Sequence, residues 1–352
     1  MKLSELETAL KAEAKVAFGL DDAQLKNFAV SVPPRHIKAD LSLAWPISAA
    51  KTLKKPPLKI AEELQAALAG QYEAAVLPPG FVNINLKDRS LLDDAGRILS
   101  DESYFSNPAY AKEKINIEFV SANPTGPMHL ASGRGATLGD SLARIMRFLG
   151  YQVKEEFYVN NVGRQVELLG RSLKARFLGQ APPEDGYQGG YLKDMAALLS
   201  PTAAGWTDKQ FSEFAVKEML ILHKADMKAF GVEFDRWFLE SELHEAAGPE
   251  RALEELKKRG MTYEKEGALW LGTSSVMDSD DKDRVLVKSD GYNTYFLNDI
   301  AYHLNKLNRG FTKIVDILGA DHHGHVPRME APSRPSDTTK RLSKLSSTSR
   351  CF

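Results

Sequence analysis

The sequence predicts an α/β fold: a parallel sheet with a largely helical insertion, preceded by a smaller α+β N-terminal domain. Three observations predict it. Residues 115–159 run strand, loop, amphipathic helix, strand, the crossover unit that joins parallel strands. A second helix and strand, Phe296 to Leu307 and Ile314 to Leu318, lead into a polar stretch, as strands do at the carboxyl edge of open α/β sheets, where ligands bind. Residues 1–105 instead mix an opening helix with short alternating runs cut by prolines.

Composition bounds the function. The chain has 352 residues, 43% of them hydrophobic, enough for a sizeable core and for two domains. Its 46 basic and 47 acidic residues give a net charge of -1, which excludes the global basic field of a non-specific nucleic-acid coat. The single cysteine, Cys351, excludes an internal disulfide framework and cysteine-based zinc sites. The N-terminus lacks the apolar run of a signal peptide, and no stretch reaches the roughly 18 apolar residues of a membrane span, so a cytoplasmic protein is expected.

In chain order, a helix is expected from Ser4 to Phe18, then a short apolar run from Phe28 to Val32 that Pro33 and Pro34 end by supplying no ladder donor. Ala39 to Trp45 alternates as a strand with one wet face, Ile60 to Leu68 has helical spacing, and Phe81 to Leu86 alternates again after the Pro78-Pro79-Gly80 turn. The basic run Lys51, Lys54, Lys55 and Lys59 is either a solvated face or an edge that contacts phosphates. Ser103 to Lys114 reads as a linker, and Ile115 to Val120 as a strand stopped by the proline and glycine of Ser121 to Pro127. From Arg134 a helix carries Leu138, Leu142, Ile145, Met146 and Leu149 on an apolar stripe up to Gly150, and Val153 to Val159 is the next strand. Residues 164–285 read as mostly helical, interrupted by Gln180 to Tyr191. From Ala331 onward the chain is rich in Ser, Thr, Lys and Arg, too polar to bury a core, and disorder is expected there.

Three constellations hold candidate chemistry. Glu118 to Gly139 is a polar loop with His129 leading into the N-terminus of a helix, where unpaired amides and the helix dipole suit a phosphate; a structural turn with a capped helix is the plain alternative. Gly133, Gly135 and Gly139 with Glu155 or Glu156 imitate a dinucleotide fingerprint, but Gly133 lies a whole loop beyond the strand and the glycine spacing is wrong. Tyr295 and Asp299, four apart on a helix, share a face and suit a cationic ligand, a guanidinium best; a surface pair on an ordinary helix is the plain alternative. Asp321, His322, His323 and His325 raise a metal site, but neighbouring side chains of an extended segment diverge, so a nucleotide-contacting loop is expected instead and no metal. The acidic run Asp278, Asp280, Asp281 and Asp283 reads as a solvated turn, because it lacks the glycine and glutamate of a calcium loop.

The segments IEFVSANPTGPMHLASGRGATLGDSLARIMRFLGYQVKEEFYVNNVGRQ (Ile117 to Gln165), DGYQGGY, SDGYNTYFLNDIAYHLNK and LGADHHGHVPRM closely resemble the signature regions of bacterial-type arginyl-tRNA synthetases, class I aminoacyl-tRNA synthetases. ADLSLAW and PPGFVNINL are similar to that family's additional N-terminal, tRNA-contacting domain, and the resemblance covers roughly residues 1–329. It implies an N-terminal domain over 1–108 and a Rossmann-like catalytic domain over 109–329, with the insertion at about 166–287. It also implies ATP-dependent activation of L-arginine to arginyl-adenylate and transfer to tRNA(Arg), with ATP accompanied by Mg2+, in a monomer. Glu118, Asn123, Tyr295 and Asp299 would hold arginine. Within the signature Ala122 to Ser132, Pro124, Thr125, Gly126, His129 and Ser132 would serve ATP, with Gly133, Arg134, His322 and His323; His129 and Ser132 would be catalytic, acting by positioning and charge stabilisation.

The sequence departs from the family pattern twice. Its signature reads His129-Leu130-Ala131-Ser132, so the second signature histidine is a serine that cannot carry positive charge. The resemblance also stops at Met329, before a KMSKS-type loop and an anticodon-binding domain; residues 330–352 read as an aberrant tail, and Arg341 to Lys344 only mimics KMSK. A truncated ligase, inactive alone, is therefore expected, with a non-catalytic tRNA-binding remnant or an unstable fragment as alternatives.

Overall fold

The computed structural model describes residues 3–272 and 283–318. Asp278, Asp280, Asp281, the loop with Asp321, His322, His323 and His325, the Arg341 to Lys344 tetrapeptide and the tail from residue 330 lie outside the described residues. The chain divides into two compact units, Met1–Phe105 and Ser106–Phe352.

In the first unit, α1 (Leu3–Phe18), β1 (Val30–Ser31), β2 (Leu41–Leu43), α2 (Trp45–Leu53), α3 (Pro57–Leu68), β3 (Glu73–Leu77), β4 (Phe81–Asn85) and α4 (Asp88–Ser100) follow one another. The strands form an antiparallel sheet in the order β1-β2-β4-β3. Leu10, Phe28, Leu43, Trp45, Ile60, Leu64 and Ile84 are among the side chains that fill its core. The strand expected over Ala39 to Trp45 stops at Leu43, and Trp45 already opens α2. Pro46 causes the switch: it has no N–H for a ladder, while its fixed φ suits the first helical turn. β3 and α4 have no counterpart among the elements expected from the sequence, and no side chain of α4 is fully buried.

The second unit contains β5 (Lys114–Glu118), α5 (Leu130–Phe148), β6 (Gln152–Val159), α6 (Arg164–Phe177), α7 (Tyr191–Ala197), α8 (Asp208–Ala229), β7 (Arg236–Leu239), α9 (Glu240–Glu245), α10 (Gly248–Lys258), β8 (Thr262–Lys265), β9 (Ala268–Leu271), β10 (Arg284–Val287), α11 (Tyr295–Asn308) and β11 (Lys313–Asp316). Its main sheet is parallel, in the order β11-β5-β6-β7, and β8, β9 and β10 make a small antiparallel sheet. The stretch read as mostly helical thus also contributes β7 to the parallel sheet.

The helix expected from Arg134 begins at Leu130, and the face it buries differs from the expected stripe. Ser132, Ala136, Gly139 and Ala143 are buried, whereas Leu138 and Ile145 are exposed. Small residues let the helix approach the sheet closely: a Cβ on Gly139 would sit 2.2 Å from the Phe119 ring. Gly139 is therefore a packing residue, and the imitation of a dinucleotide fingerprint dissolves. Glu155 pairs with Arg147, and Glu156 with Arg309 and Tyr302.

Candidate active site

Strand register aligns three acids. Asp316 on β11, Glu118 on β5 and Glu156 on β6 are direct neighbours across the parallel sheet and so face the same side. Such a row is costly unless paired. α11 supplies the partners. Lys306, fully buried, donates from Nζ to Glu118 Oε2 at 2.5 Å and to Asp316 Oδ1 at 2.8 Å. Arg309 donates to both Glu156 oxygens at 2.5 and 2.7 Å, and the Tyr302 hydroxyl donates to Oε1 at 2.6 Å. Burial pushes the Glu118 carboxyl up. For Asp316, Lys306 and His303 outweigh burial and hold it well below the usual carboxylate range.

Beyond β5 the chain bends sharply. Val120 has φ +67° and Ser121 φ +42°, a left-handed pair without glycine that is strained at the β-branched valine. Ser121 Oγ holds the bend by donating to Glu118 Oε1 at 2.8 Å and accepting from the Tyr158 N–H at 3.0 Å. The loop that follows is pinned from three helices. Asn123 Nδ2 donates to Gln165 Oε1 on α6 at 2.9 Å, the Tyr191 hydroxyl on α7 donates to the Thr125 carbonyl at 2.6 Å, and His223 Nε2 on α8 lies 2.7 Å from the Gly126 carbonyl. A carbonyl only accepts, so Nε2 carries the proton, and burial lowers the pKa of His223, which keeps the ring neutral.

His129 occupies the N-cap position of α5, exposed and with extended backbone (φ -126°, ψ 172°), and its side chain does not cap the helix. Its carbonyl accepts from the Ser132 and Gly133 N–H groups. Pro124 and Ser132 are buried, Thr125, Gly126 and Gly133 half-buried, and Arg134 exposed. The signature residues from Ala122 to Ser132 thus form one loop and helix start. His322 and His323 lie outside the described residues.

Tyr295 is the first residue of α11 and 77% exposed; Asp299 follows one turn later, half-buried, its Oδ1 3.6 Å from His303 Nδ1. Tyr158 on β6 packs against Tyr302 of α11, with ring centroids 4.6 Å apart, and its hydroxyl pKa is raised by burial and by the charges of Glu240, Asp299 and Glu118. Glu240 is 4% exposed and accepts from Asn298 Nδ2 at 3.1 Å and, with the Asn160 amide nitrogen turned toward it, from Asn160 at 3.1 Å. The Tyr158 hydroxyl is hydrogen-bonded to Glu240, and the charges of Asp299 and Glu118 act on it from further away. Tyr158, Glu240, His303, Lys306 and His223 lie outside the candidate residues that the sequence suggests. A signal existed for two of them, because 295, 299, 303 and 306 share one helical face.

A cleft of about 960 Å³ opens elsewhere, between α6, α8 and the end of β7, lined by residues that include Val166, Arg171, Lys217, Lys224 and Ser241; no candidate residue lines it. Among the described residues no cluster of three or more His, Cys, Asp or Glu could hold a metal ion. None of their helices is long and apolar enough to cross a membrane.

Residues 4–86 match the arginyl tRNA synthetase N terminal domain family, and residues 95–195 match the catalytic domain of class I (R) tRNA synthetases. The chain is 53% identical over 303 residues to an arginine–tRNA ligase of Elusimicrobium minutum, a match that covers 85% of this chain and 56% of that protein. It is 41% identical over 343 residues to the arginine–tRNA ligase of Listeria monocytogenes, covering 92% of this chain and 61% of that one. The Thermus thermophilus arginyl-tRNA synthetase shares the fold with a TM-score of 0.70 at 20% identity, over 99% of this chain and 65% of its own. The chain thus spans somewhat more than half the length of its curated relatives. On these matches and this sheet, the chain belongs to the arginyl-tRNA synthetase family of class I aminoacyl-tRNA synthetases.

Proposed function

We propose that the chain serves arginine–tRNA ligation in the cytoplasm: ATP converts L-arginine to arginyl-adenylate, and the arginyl group then passes to tRNA(Arg). The acid-rich carboxyl edge of the parallel sheet carries the reading: Asp316, Glu118 and Glu156 lie in register there, Glu240 is buried beyond β7, and Asp299 is half-buried on α11, a set that suits a guanidinium. Asp299 takes the guanidinium, with Tyr295 and Asn123 orienting the substrate. Glu118, whose oxygens already accept from Lys306 and Ser121, contributes mainly its field.

In the same reading the α5 N-terminus, with His129, Ser132, Gly133 and Arg134, faces the ATP phosphates, and Pro124 to Gly126 forms the wall beside them. His322 and His323 contact the adenosine. Mg2+ enters with the phosphates. The exposed Lys51, Lys54 and Lys59 of the first unit contact the tRNA backbone.

Calorimetric titration with L-arginine, L-citrulline and L-lysine tests the reading. L-arginine binds, and citrulline, isosteric but neutral, binds roughly 10- to 100-fold more weakly, as expected when a charged hydrogen bond is lost. Equal affinity for arginine and citrulline, or none for arginine, would overturn it.

A further inference from the structure

His303 is 5% exposed and its two ring nitrogens have different partners. Nε2 lies 2.9 Å from Asp316 Oδ2, and Nδ1 lies 2.9 Å from the main-chain carbonyl of Asp299. Both partners only accept: one is a carbonyl, the other a carboxylate that already takes a hydrogen bond from Lys306 on its second oxygen. A neutral imidazole has a single N–H and would set one lone pair against another. The geometry therefore calls for both nitrogens to carry protons.

The surroundings agree. On α11 the ring faces Asp299, whose Oδ1 is 3.6 Å from Nδ1, together with Lys306 and Tyr302; on β11 it faces Asp316. Glu118 on β5 and Glu156 on β6 continue the acidic row, with Lys306 and Arg309 paired to them. Three row carboxylates meet three cations only when His303 is charged. Burial alone would lower the pKa of this histidine, but Asp316 and Asp299 raise it to about 9.

We propose that His303 is a positioning residue: as an imidazolium clamped between Asp316 and the Asp299 backbone, it fixes the Asp299 carboxylate for the guanidinium of arginine. The proposal rests on the arginine reading above. It gives the sheet a direct link to the specificity carboxylate, because β11 ends at Asp316 and Asp299 sits one helical turn before His303.

Two measurements on the full chain test it. In ¹⁵N NMR spectra of histidine-labelled protein, both His303 nitrogens are expected to be protonated at pH 7 and to lose a proton near pH 9; a neutral tautomer at pH 7 would overturn the proposal. In calorimetric titrations, His303→Gln is expected to bind L-arginine at least about tenfold more weakly and ATP within about twofold of the parent. The affinity of the parent should also show a step near pH 9 that the variant lacks. The α-ammonium group of arginine titrates identically against both proteins, so the difference between their profiles reports the histidine. Parent binding with unchanged affinity and pH profile in His303→Gln would sink this inference alone. No arginine binding by the folded parent would sink the arginine reading together with it. If His303→Gln does not fold, the NMR titration of the parent decides.

Discussion

Lys306 Nζ lies 2.5 Å from Glu118 Oε2 and 2.8 Å from Asp316 Oδ1, so one fully buried lysine ties together the carboxyl ends of two neighbouring parallel strands. Without it, two acids on adjacent strands would face each other in the interior. Lys306→Met should therefore destabilise the second unit by about 3–5 kcal/mol, the usual cost of removing one partner of a buried ion pair. Urea unfolding measures this. A loss within the ~1 kcal/mol of a surface pair would show that the acids find other compensation.

Close packing at the start of the site gives a second prediction. The Phe119 ring is buried against Phe234, with centroids 4.5 Å apart, and leaves no space for a Cβ on Gly139. Gly139→Ala should cost about 1–3 kcal/mol through overpacking. The cost should shrink in a Phe119→Leu background, as thermal unfolding of the double-mutant cycle would reveal.

The loop before His129 depends on the helices that pin it. Tyr191→Phe and His223→Leu each remove the donor to a loop carbonyl, at Thr125 and Gly126 respectively, and each should weaken ATP binding by about 1 kcal/mol, roughly fivefold. His223→Gln, which keeps an N–H donor, should recover most of the affinity. Equal losses in the Leu and Gln variants would point to packing of the ring instead of its hydrogen bond.

His303 predicts a pH dependence of stability. Its folded pKa, raised to about 9, lies above the ordinary histidine value, so its contribution is complete below pH ~6.5 and disappears as pH rises through ~9. The parent should therefore lose up to ~3 kcal/mol relative to its His303→Gln variant between pH 6.5 and 9.5. Denaturant midpoints measured across that range would show parallel curves if the ring were neutral throughout.

Much of this organisation was legible in the sequence, for physical reasons that also mark where legibility ends. β5, α5 and β6 announce themselves through apolar runs and a helical period, and Tyr295 and Asp299 do share a helix. The buried face of α5 escapes the apolar pattern because Ala136, Gly139 and Ala143 add little to an apolar stripe, yet they permit the close approach that larger residues forbid. Trp45 continues an alternating run and still opens a helix, because Pro46 decides the local backbone. β7 is four residues long and lies just beyond a 22-residue helix, too brief to signal itself. Lys306 and His303 look like ordinary polar residues of a helix. Their burial depends on Asp316, 10 and 13 residues on, and on Glu118, 188 residues from Lys306, so only the assembled sheet reveals them.

A crystal structure of the chain with L-arginine bound would show directly whether the carboxyl edge of the parallel sheet is an arginine site. The guanidinium is expected within hydrogen-bond distance of the Asp299 carboxylate, with His303 still bridging Asp316 and the Asp299 carbonyl. Arginine seated instead in the cleft between α6 and α8, with Asp299 untouched, would contradict it.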